Sequence, residues 1–432
     1  MFLNIIALLV TVATFTAIIR KAEVRLALLA GGLVMAVLSW NLQAFSEAFT
    51  RSMTTAGLIS VILPVMGFAA VMELTGCNGH LVKMLTDPLL KVRMVLVPGA
   101  MLVTYLINTA ISSAAGCTAA VGVILIPAMM AAGIHPAMAG AAVFAGTWGS
   151  VFSPGSPHPA MIAKIANVSV IDVILAHKTA SIVAALVVAA VLFAEAKLFK
   201  QDKDWTPEKA GADLGKLAAA KRPAIDKVNF AMAIIPVVPL ALLLLTVPQF
   251  GITTKFLPKG LTVLESMLIG SVLGMLVTWT SPTKVVTEFF DGMGRAYSLV
   301  IGIIIAAGVF IGGLEAAGVI KAFLEVLKEA KSAVPLLGTF GPFVVAVLSG
   351  SGDAAAIAFN TAVTPHAAQF GITSINLGNM AWVGGSLGRS MSPVAAACII
   401  GAGFAGVSPF ELAKRNAVPM LLAAVVFMLM VG

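Results

Sequence analysis

Long apolar runs fill almost the whole of this chain, and most of them are close to the length that a helix needs to cross a bilayer. Hydrophobic residues make up 59% of the 432 residues and charged residues only 11%, with a mean hydropathy of +1.03. A soluble domain carries about 25% charged residues, so this balance excludes an ordinary soluble enzyme or binding protein. We therefore predict an all-α polytopic membrane protein.

The basic residues give the predicted orientation. A formal charge of +8 could indicate a nucleic-acid partner, but the lysines and arginines fall in short segments between apolar runs, the pattern that orients membrane proteins. With Arg20 and Arg25 in the cytoplasm, the polar linker 196–227 is cytoplasmic and both termini are periplasmic. We predict a multi-pass protein of the bacterial inner membrane, with the lipid bilayer and not nucleic acid as its partner.

The apolar runs follow the same order twice. Each half predicts three spans, an amphipathic piece, a hairpin of two short runs, a span broken by Gly and Pro, and a last span. The two runs of each hairpin look too short to cross comfortably, so we interpret the hairpins as re-entrant. The spans are predicted at 2–19, 24–41, 55–74, 172–195, 228–247, 261–280, 297–318 and 410–431; the amphipathic pieces at 77–91 and 319–332; the hairpins at 94–131 and 334–370; and the broken spans at 137–166 and 373–405.

Matching residues support a repeat. Ser153-Pro154 and Val168-Ser169 recur as Ser392-Pro393 and Val407-Ser408 at one and the same distance along the chain. About 10 transmembrane helices, five in each half, follow if the hairpins return to the side they entered. Five is odd, so the halves 1–195 and 228–432 are predicted to be inverted repeats, which transporters use to build a midplane site from broken helices.

The polar breaks are predicted to form the binding site. Broken helices leave unpaired N–H groups, which attract anions, and unpaired carbonyls, which attract cations. The predicted substrate-binding residues are Asn108, Thr109, Ser112, Ser113, Ser153, Ser351, Asp353, Ser386, Arg389, Ser390 and Ser392. Thr109, Ser112, Ser351, Asp353 and His158 are candidates for holding a coupling ion, sodium or a proton.

Arg389 is the most constraining of these residues. It lies in the glycine-rich run 384–393, where an arginine at mid-bilayer depth costs roughly 2.5 to 3.5 kcal/mol and usually faces a functional cavity. Its planar guanidinium suits a bidentate grip on a carboxylate. The alternative is a structural arginine that caps carbonyls of a neighbouring helix.

Two other ionisable residues, Asp353 and His158, could each have more than one role. Asp353 could pair with Arg389, carry a proton, contact a cationic part of the substrate, or cap backbone N–H groups. His158, between two prolines, could titrate near neutrality, although a turn residue at the cavity edge is the simpler interpretation. Cys77, Cys117 and Cys398 lie far apart without metal-ligand spacing, so no cofactor and no metal beyond a possible sodium ion is predicted.

Several segments resemble a known family. They are GFAAVMELTG (67–76), the SSAAG tip (112–116), VSVIDV (168–173), SGSGD (349–353), SLGRSMSP (386–393) and VSPFELAKRNAVP (407–419). Together they resemble the anaerobic C4-dicarboxylate uptake C (DcuC) family of the ion transporter superfamily, which is similar in design to divalent anion/sodium symporters. The resemblance covers nearly the whole chain and is strongest over 350–419.

The resemblance implies a homodimeric elevator transporter of succinate, fumarate, malate or aspartate, working by symport or antiport and not an enzyme. It implies a scaffold from 1–76 and 228–318 and a moving transport part from 92–195 and 334–432. This chain departs from the family pattern in two places. Asp353 stands where the family suggests Asn, and the first break has SPGSPHP (153–159) where an acidic pattern is expected. The acid has moved from one break to the other, which makes an amino acid substrate more plausible.

Other function classes remain open. The site could serve another organic anion or an amino acid. Gly350-Ser351-Gly352-Asp353 also fits the G-x-G-D string of an intramembrane aspartyl protease, but such catalysis needs two carboxylates that share a proton, and no second aspartate lies in a matching apolar span. A channel is disfavoured because inverted halves with broken helices suit alternating access.

Overall fold

The fold is helical throughout the part of the chain that the structure describes. The computed structural model describes residues 2–20, 22–54, 56–90, 92, 95–203, 205, 225, 227–246, 261–319 and 331–432, and this part contains no strand. The prediction of an all-helical protein is confirmed.

The first half contains eleven helices within the described ranges. They are α1 (Phe2–Ile19), α2 (Val24–Leu38), α3 (Leu42–Met53), α4 (Ala56–Leu74), α5 (Cys77–Leu89), α6 (Leu96–Ala110), α7 (Ala114–Ala131), α8 (Pro136–Ala145), α9 (Pro157–Ala166), α10 (Val170–Ala176) and α11 (Lys178–Leu198). A 3-10 turn, Gly146–Phe152, follows α8, and residues 153–156 separate it from α9. This is the predicted break of the first half.

The second half contains nine helices within the described ranges. Its described helices are α12 (Phe230–Thr246), α13 (Val263–Thr278), α14 (Pro282–Ala296), α15 (Gly302–Ala316), α16 (Val334–Ser349), α17 (Gly352–Ala362), α18 (Ser374–Arg389), α19 (Ala396–Ala405) and α20 (Pro409–Val431). A π-helical turn, Tyr297–Ile301, joins α14 to α15, and a 3-10 turn, Thr364–Phe370, follows α17. The second break, residues 390–395, lies between α18 and α19.

The helix surfaces are those of a membrane protein. Large apolar side chains such as Leu9 on α1, Leu186 on α11 and Leu429 on α20 are more than half exposed, an arrangement that is stable where lipid replaces water. Three described helices are long and apolar enough to cross a bilayer, Ala114–Ala131, Lys178–Leu198 and Pro409–Val431, or up to five if each bent pair of helices forms one span. The number of crossings remains a prediction.

The structure corrects the sequence prediction in three places. Helix α7 has 18 residues and is long enough to span, so this run is not too short to cross. The amphipathic helices α3 and α14 were not predicted, because their polar faces interrupt the apolar pattern of the runs beside them. The predicted span 172–195 is divided between two helices: its first residues belong to α10, and the long helix α11 begins only at Lys178.

Two predicted segments lie largely outside the described residues. In the linker 196–227, residues 204, 206–224 and 226 are not described, and the described beginning, up to Leu198, still belongs to α11. In the amphipathic piece 319–332, residues 320–330 are not described. The boundaries predicted for the scaffold and transport parts also stay predictions.

Glycines let the helices at the two breaks approach a neighbouring backbone closely. A Cβ atom on Gly384 or Gly388 of α18 would overlap the carbonyl oxygen of Thr339 or Phe343 in α16. In the first half, Gly146 and Gly149 approach the backbone of α6 in the same way. Small residues are the usual means by which membrane helices pack backbone to backbone.

Replacing Gly384 by Ala should destabilise the fold by about 1–3 kcal/mol, because the added methyl group meets backbone that cannot move aside. We expect a lower unfolding temperature in detergent. Gly341→Ala in α16 is the matched control, since its added Cβ has no neighbour within 4 Å in the described part of the chain outside the adjacent backbone of its own helix. Equal unfolding temperatures for the two variants would contradict the close packing of α16 and α18.

Each half has an exposed tryptophan just after the end of a helix. Trp40 follows α2 and Trp279 follows α13; they are 97% and 93% exposed, and both have a left-handed backbone with φ of 52°. Exposed tryptophans at helix ends are typical of the membrane–water interface. If the halves are inverted, these two side chains mark opposite interfaces.

This topology can be tested by labelling Trp40→Cys and Trp279→Cys with an impermeant thiol reagent in vesicles of defined orientation. The predicted orientation places residue 40 on the periplasmic side and residue 279 on the cytoplasmic side. The native cysteines Cys77, Cys117 and Cys398 are buried and should contribute little background. Labelling of both variants from one side would rule out inversion.

Candidate functional site

Four helix N-termini meet at one cavity of about 330 Å³. The first turns of α7, α9, α17 and α19 line it, through residues 113–115, 157, 352–353 and 396–397. Packing arranges them in two pairs, α7 against α19 and α9 against α17. The starts of α7, α17 and α19 present backbone N–H groups, whereas α9 presents fewer because Pro157 and Pro159 have no N–H. All four contribute a positive dipole end, so this arrangement favours an anion.

Arg389 adds a full positive charge to the cavity wall. It ends α18, and it reaches across to the break of the first half, where Nη1 donates to Thr147 Oγ1 at 3.1 Å and Nη2 donates to the Thr147 carbonyl at 2.7 Å. These are its only hydrogen bonds to the described part of the chain. Because a guanidinium has five N–H donors, the others remain available to a ligand. Arg389 thus caps a carbonyl, as the alternative interpretation expected, and also lines the cavity.

Asp353 places a negative charge in the same cavity. It lies in the first turn of α17, and its Oδ1 is 3.0 Å from Nε2 of His158 in the first turn of α9. His158 is almost fully buried, whereas the Asp353 side chain is 64% exposed, which is exposure to the cavity. The His158 ring stacks on Trp382 of α18 at 5.5 Å between centroids, so the imidazole is held in place from behind.

Asn108 ties the tip of the first hairpin to the first break. Its Oδ1 accepts from the Ser150 backbone N–H at 2.7 Å, and its Nδ2 donates to the Ile111 carbonyl at 2.8 Å. The Thr109 hydroxyl lies 3.2 Å from the Gly149 carbonyl. These contacts satisfy backbone groups that the break leaves unpaired.

The predicted site residues fall into two groups. The cavity is lined by Ser112, Ser113, Ser351, Asp353, Ser386 and Arg389. The other predicted residues, Asn108, Thr109, Ser153, Ser390, Ser392 and His158, do not line it. Ser392 donates to the Val347 carbonyl and Ser390 to the Ser386 carbonyl, so these two hydroxyls hold the second break in shape.

Thr109 and Ser153 instead line a second, mainly apolar cavity of about 280 Å³, which also reaches Ser112.

Two local expectations were wrong. His158 is a buried helical residue paired with Asp353, not a turn residue at the cavity edge, because α9 begins one residue before it. Ser386 lies within α18, so the second break begins only at Ser390. The individual predictions missed Ser150 and Ser156, both of which line the cavity. Ser156 precedes a proline at a helix start, a capping signal that could have identified it.

Comparison with known proteins agrees with this architecture. A family model described as "C4-dicarboxylate anaerobic carrier", DcuC, matches residues 4–432. The chain belongs to the DcuC family. The resemblance identified in the sequence is therefore confirmed, and the chain is a membrane transporter of this family rather than a protease or other enzyme.

DcuC relatives align over most of the chain. An anaerobic C4-dicarboxylate transporter DcuC of Escherichia coli K12 is 30% identical over 378 residues, 85% of this chain and 78% of the relative. A probable DcuC transporter of Vibrio cholerae is 28% identical over 435 residues, which is 94% of this chain and 90% of the relative. A putative uncharacterized transporter of Haemophilus influenzae is 41% identical over 279 residues, 63% of this chain and 97% of its own length.

Two solved transporters share the fold at low sequence identity. The YdaH transporter of Alcanivorax borkumensis, described as having an unusual topology, superposes with a TM-score of 0.58 and 14% identity, covering 90% of this chain and 88% of its own. MtrF of Neisseria gonorrhoeae, described as illuminating a class of antimetabolite efflux pumps, superposes with a TM-score of 0.61 and 15% sequence identity. The superposition covers 90% of this chain and 83% of MtrF. This DcuC-family chain therefore has a transporter fold.

Cysteine accessibility can test the cavity directly. Ser113 is exposed to the cavity, whereas Ser392 is fully buried. We expect Ser113→Cys to react with a small water-soluble thiol reagent at least about tenfold faster than Ser392→Cys, because thiol reactivity requires access. Succinate should protect only the first variant. Equal rates would contradict the cavity assignment.

Proposed function

We propose that this chain is a secondary active transporter that moves C4-dicarboxylates, such as succinate, fumarate, malate and aspartate, across the inner membrane. The observation that carries the proposal is the convergence of four helix N-termini and the Arg389 guanidinium on one cavity. Family membership supports the same substrate class. Transport of another organic anion or amino acid is the second candidate, favoured by the carboxylate of Asp353 in the cavity wall.

The cavity has the properties that a small dianion requires. Its volume is at the lower end of the range typical of ligand sites, which suits a four-carbon acid. Hydroxyls of Ser113, Ser351 and Ser386 stand beside the helix N-termini as additional donors. Arg389 is held by Thr147 before any ligand arrives, so little side-chain entropy is lost when it grips a carboxylate.

Helix packing supports an elevator mechanism. Helices α2, α3, α4, α13, α14 and α15 pack mainly on one another, and helices α6–α11 with α16–α20 form the second group. The cavity lies between the groups, since Ile62, Met66 and Val300 come from the first and the remaining wall from the second. A site at such a boundary can change its exposure when one group slides past the other. We propose that the first group is the scaffold of a homodimer.

Transport is proposed to be coupled to sodium or protons, by symport or by exchange. Asp353 and His158 offer a titratable pair at the cavity, whereas Thr109, Ser112 and Ser351 offer hydroxyls of the kind that sodium accepts as ligands. Uptake into proteoliposomes under an imposed sodium gradient or an imposed proton gradient distinguishes sodium coupling from proton coupling.

Arg389→Ala should reduce uptake of labelled succinate into proteoliposomes by about 100-fold or more, because it removes the charge-assisted hydrogen bonds to the substrate carboxylate. Arg389→Lys should restore only part of the rate, since a lysine cannot form the bidentate fork.

The control is Arg295→Ala on α14, which removes an exposed arginine paired with Glu288 and leaves the cavity unchanged. Gel-filtration profiles in detergent should be the same for all variants. Undiminished succinate uptake by folded Arg389→Ala would refute the proposed anion site.

A further inference from the structure

Asp353 is the only carboxylate among the described residues that line the cavity. Its Oδ1 is engaged by His158 at 3.0 Å, and Oδ2 has no hydrogen bond to the described part of the chain. The side chain is 64% exposed, so the cavity is where a partner for Oδ2 can approach. A negative charge is thus held ready inside a site that otherwise attracts anions.

The surroundings of His158 favour a charged carboxylate. Its Nδ1 is buried and has no hydrogen-bond partner among the described residues. A proton on Nδ1 would lack an acceptor, and burying such a donor is costly. The single ring proton therefore belongs on Nε2, from which it is donated to Asp353 Oδ1. A neutral histidine that donates to Asp353 leaves the carboxylate its negative charge.

The two pairs of helix N-termini are consequently unlike. At α9 and α17 a carboxylate is already present, because Asp353 lies in the first turn of α17 and its Oδ1 pairs with the His158 side chain in the first turn of α9. At α7 and α19 the described lining contains no carboxylate. A substrate carboxylate therefore fits beside α7 and α19, within reach of Arg389, and the opposite end of the substrate meets a negative charge.

We propose that Asp353 receives the ammonium group of the substrate, so that this site selects amino-dicarboxylates such as aspartate over succinate and fumarate. The proposal rests on the proposed function, because Arg389 has to hold a substrate carboxylate. The hydroxyls of Ser156 and Ser351, at the starts of α9 and α17, are left to donate to the second carboxylate. Asp353 is a specificity-determining residue, and His158 positions it.

Asp353→Asn tests this role with little change in shape. The asparagine Oδ1 still accepts from His158 Nε2, but an amide NH₂ takes the place of Oδ2 and presents a donor to the cavity. Competition by L-aspartate, succinate, fumarate and L-alanine against one labelled dicarboxylate should be measured at fixed pH for the wild type, Asp353→Asn and Asp353→Glu. Asp87→Asn, a change in an exposed carboxylate that pairs with Lys83, is the control.

The two acids should respond in opposite directions. In the wild type we expect aspartate to compete at least about tenfold better than succinate, the difference that one charge-assisted hydrogen bond gives. Asp353→Asn should weaken competition by aspartate and strengthen competition by succinate, so that succinate becomes the better competitor. Asp87→Asn should leave aspartate the better competitor. If Asp353→Asn does not fold, the relative competition by aspartate and succinate in the wild type and in Asp353→Glu still tests the proposal.

Other outcomes would overturn the inference. Equal competition by succinate and aspartate in the wild type would refute it and leave the proposed function intact. An unchanged ratio in Asp353→Asn, with the pH dependence of uptake lost equally for both acids, would make Asp353 a proton carrier instead. Competition by alanine but by no dicarboxylate would refute the proposed function and retain an ammonium site at Asp353.

Discussion

Two side chains of the second half bond to the first half at and just after its break, and the centre of the structure depends on these contacts. Arg389 donates twice to Thr147, and Asp353 pairs with His158. Broken helices expose backbone groups that lipid cannot satisfy, so the breaks are stable only if protein groups or a cavity receive them. The contacts join the two halves around the cavity, and four helix N-termini open into it.

The same constraint explains the glycines and the polar residues around the site. Gly146 and Gly149 lie against α6, and Gly384 and Gly388 lie against α16, so each break is supported by the hairpin helix of its own half. Asn108 completes this support in the first half through the Ser150 N–H. A backbone held so rigidly keeps the cavity lining in position before a substrate binds, which reduces the entropy that binding costs.

The sequence predicted much of the fold because its signals are local. Apolar length and Gly-Pro interruptions predicted both breaks and most helices, and the run around Arg389 predicted a cavity-lining charge. Local signals failed where a polar residue can have either a structural or a ligand-binding role, or can belong to either a helix or a loop. The amphipathic helices α3 and α14 resemble loops in an apolar pattern, and Ser390 and Ser392 resemble ligand groups although their hydroxyls bond to nearby carbonyls. His158 resembled a turn residue because prolines flank it, but prolines also start helices.

The sequence by itself determined that this is a helical membrane protein, and that an arginine and an aspartate lie near its polar breaks and hairpin tips. Hydropathy and composition are properties of the chain and need no neighbour. Only the tertiary structure decided that Arg389 bonds to Thr147, that His158 lies behind Asp353, and that six of the predicted residues line the cavity. Those facts depend on the packing of helices that are distant in sequence, which no local pattern specifies.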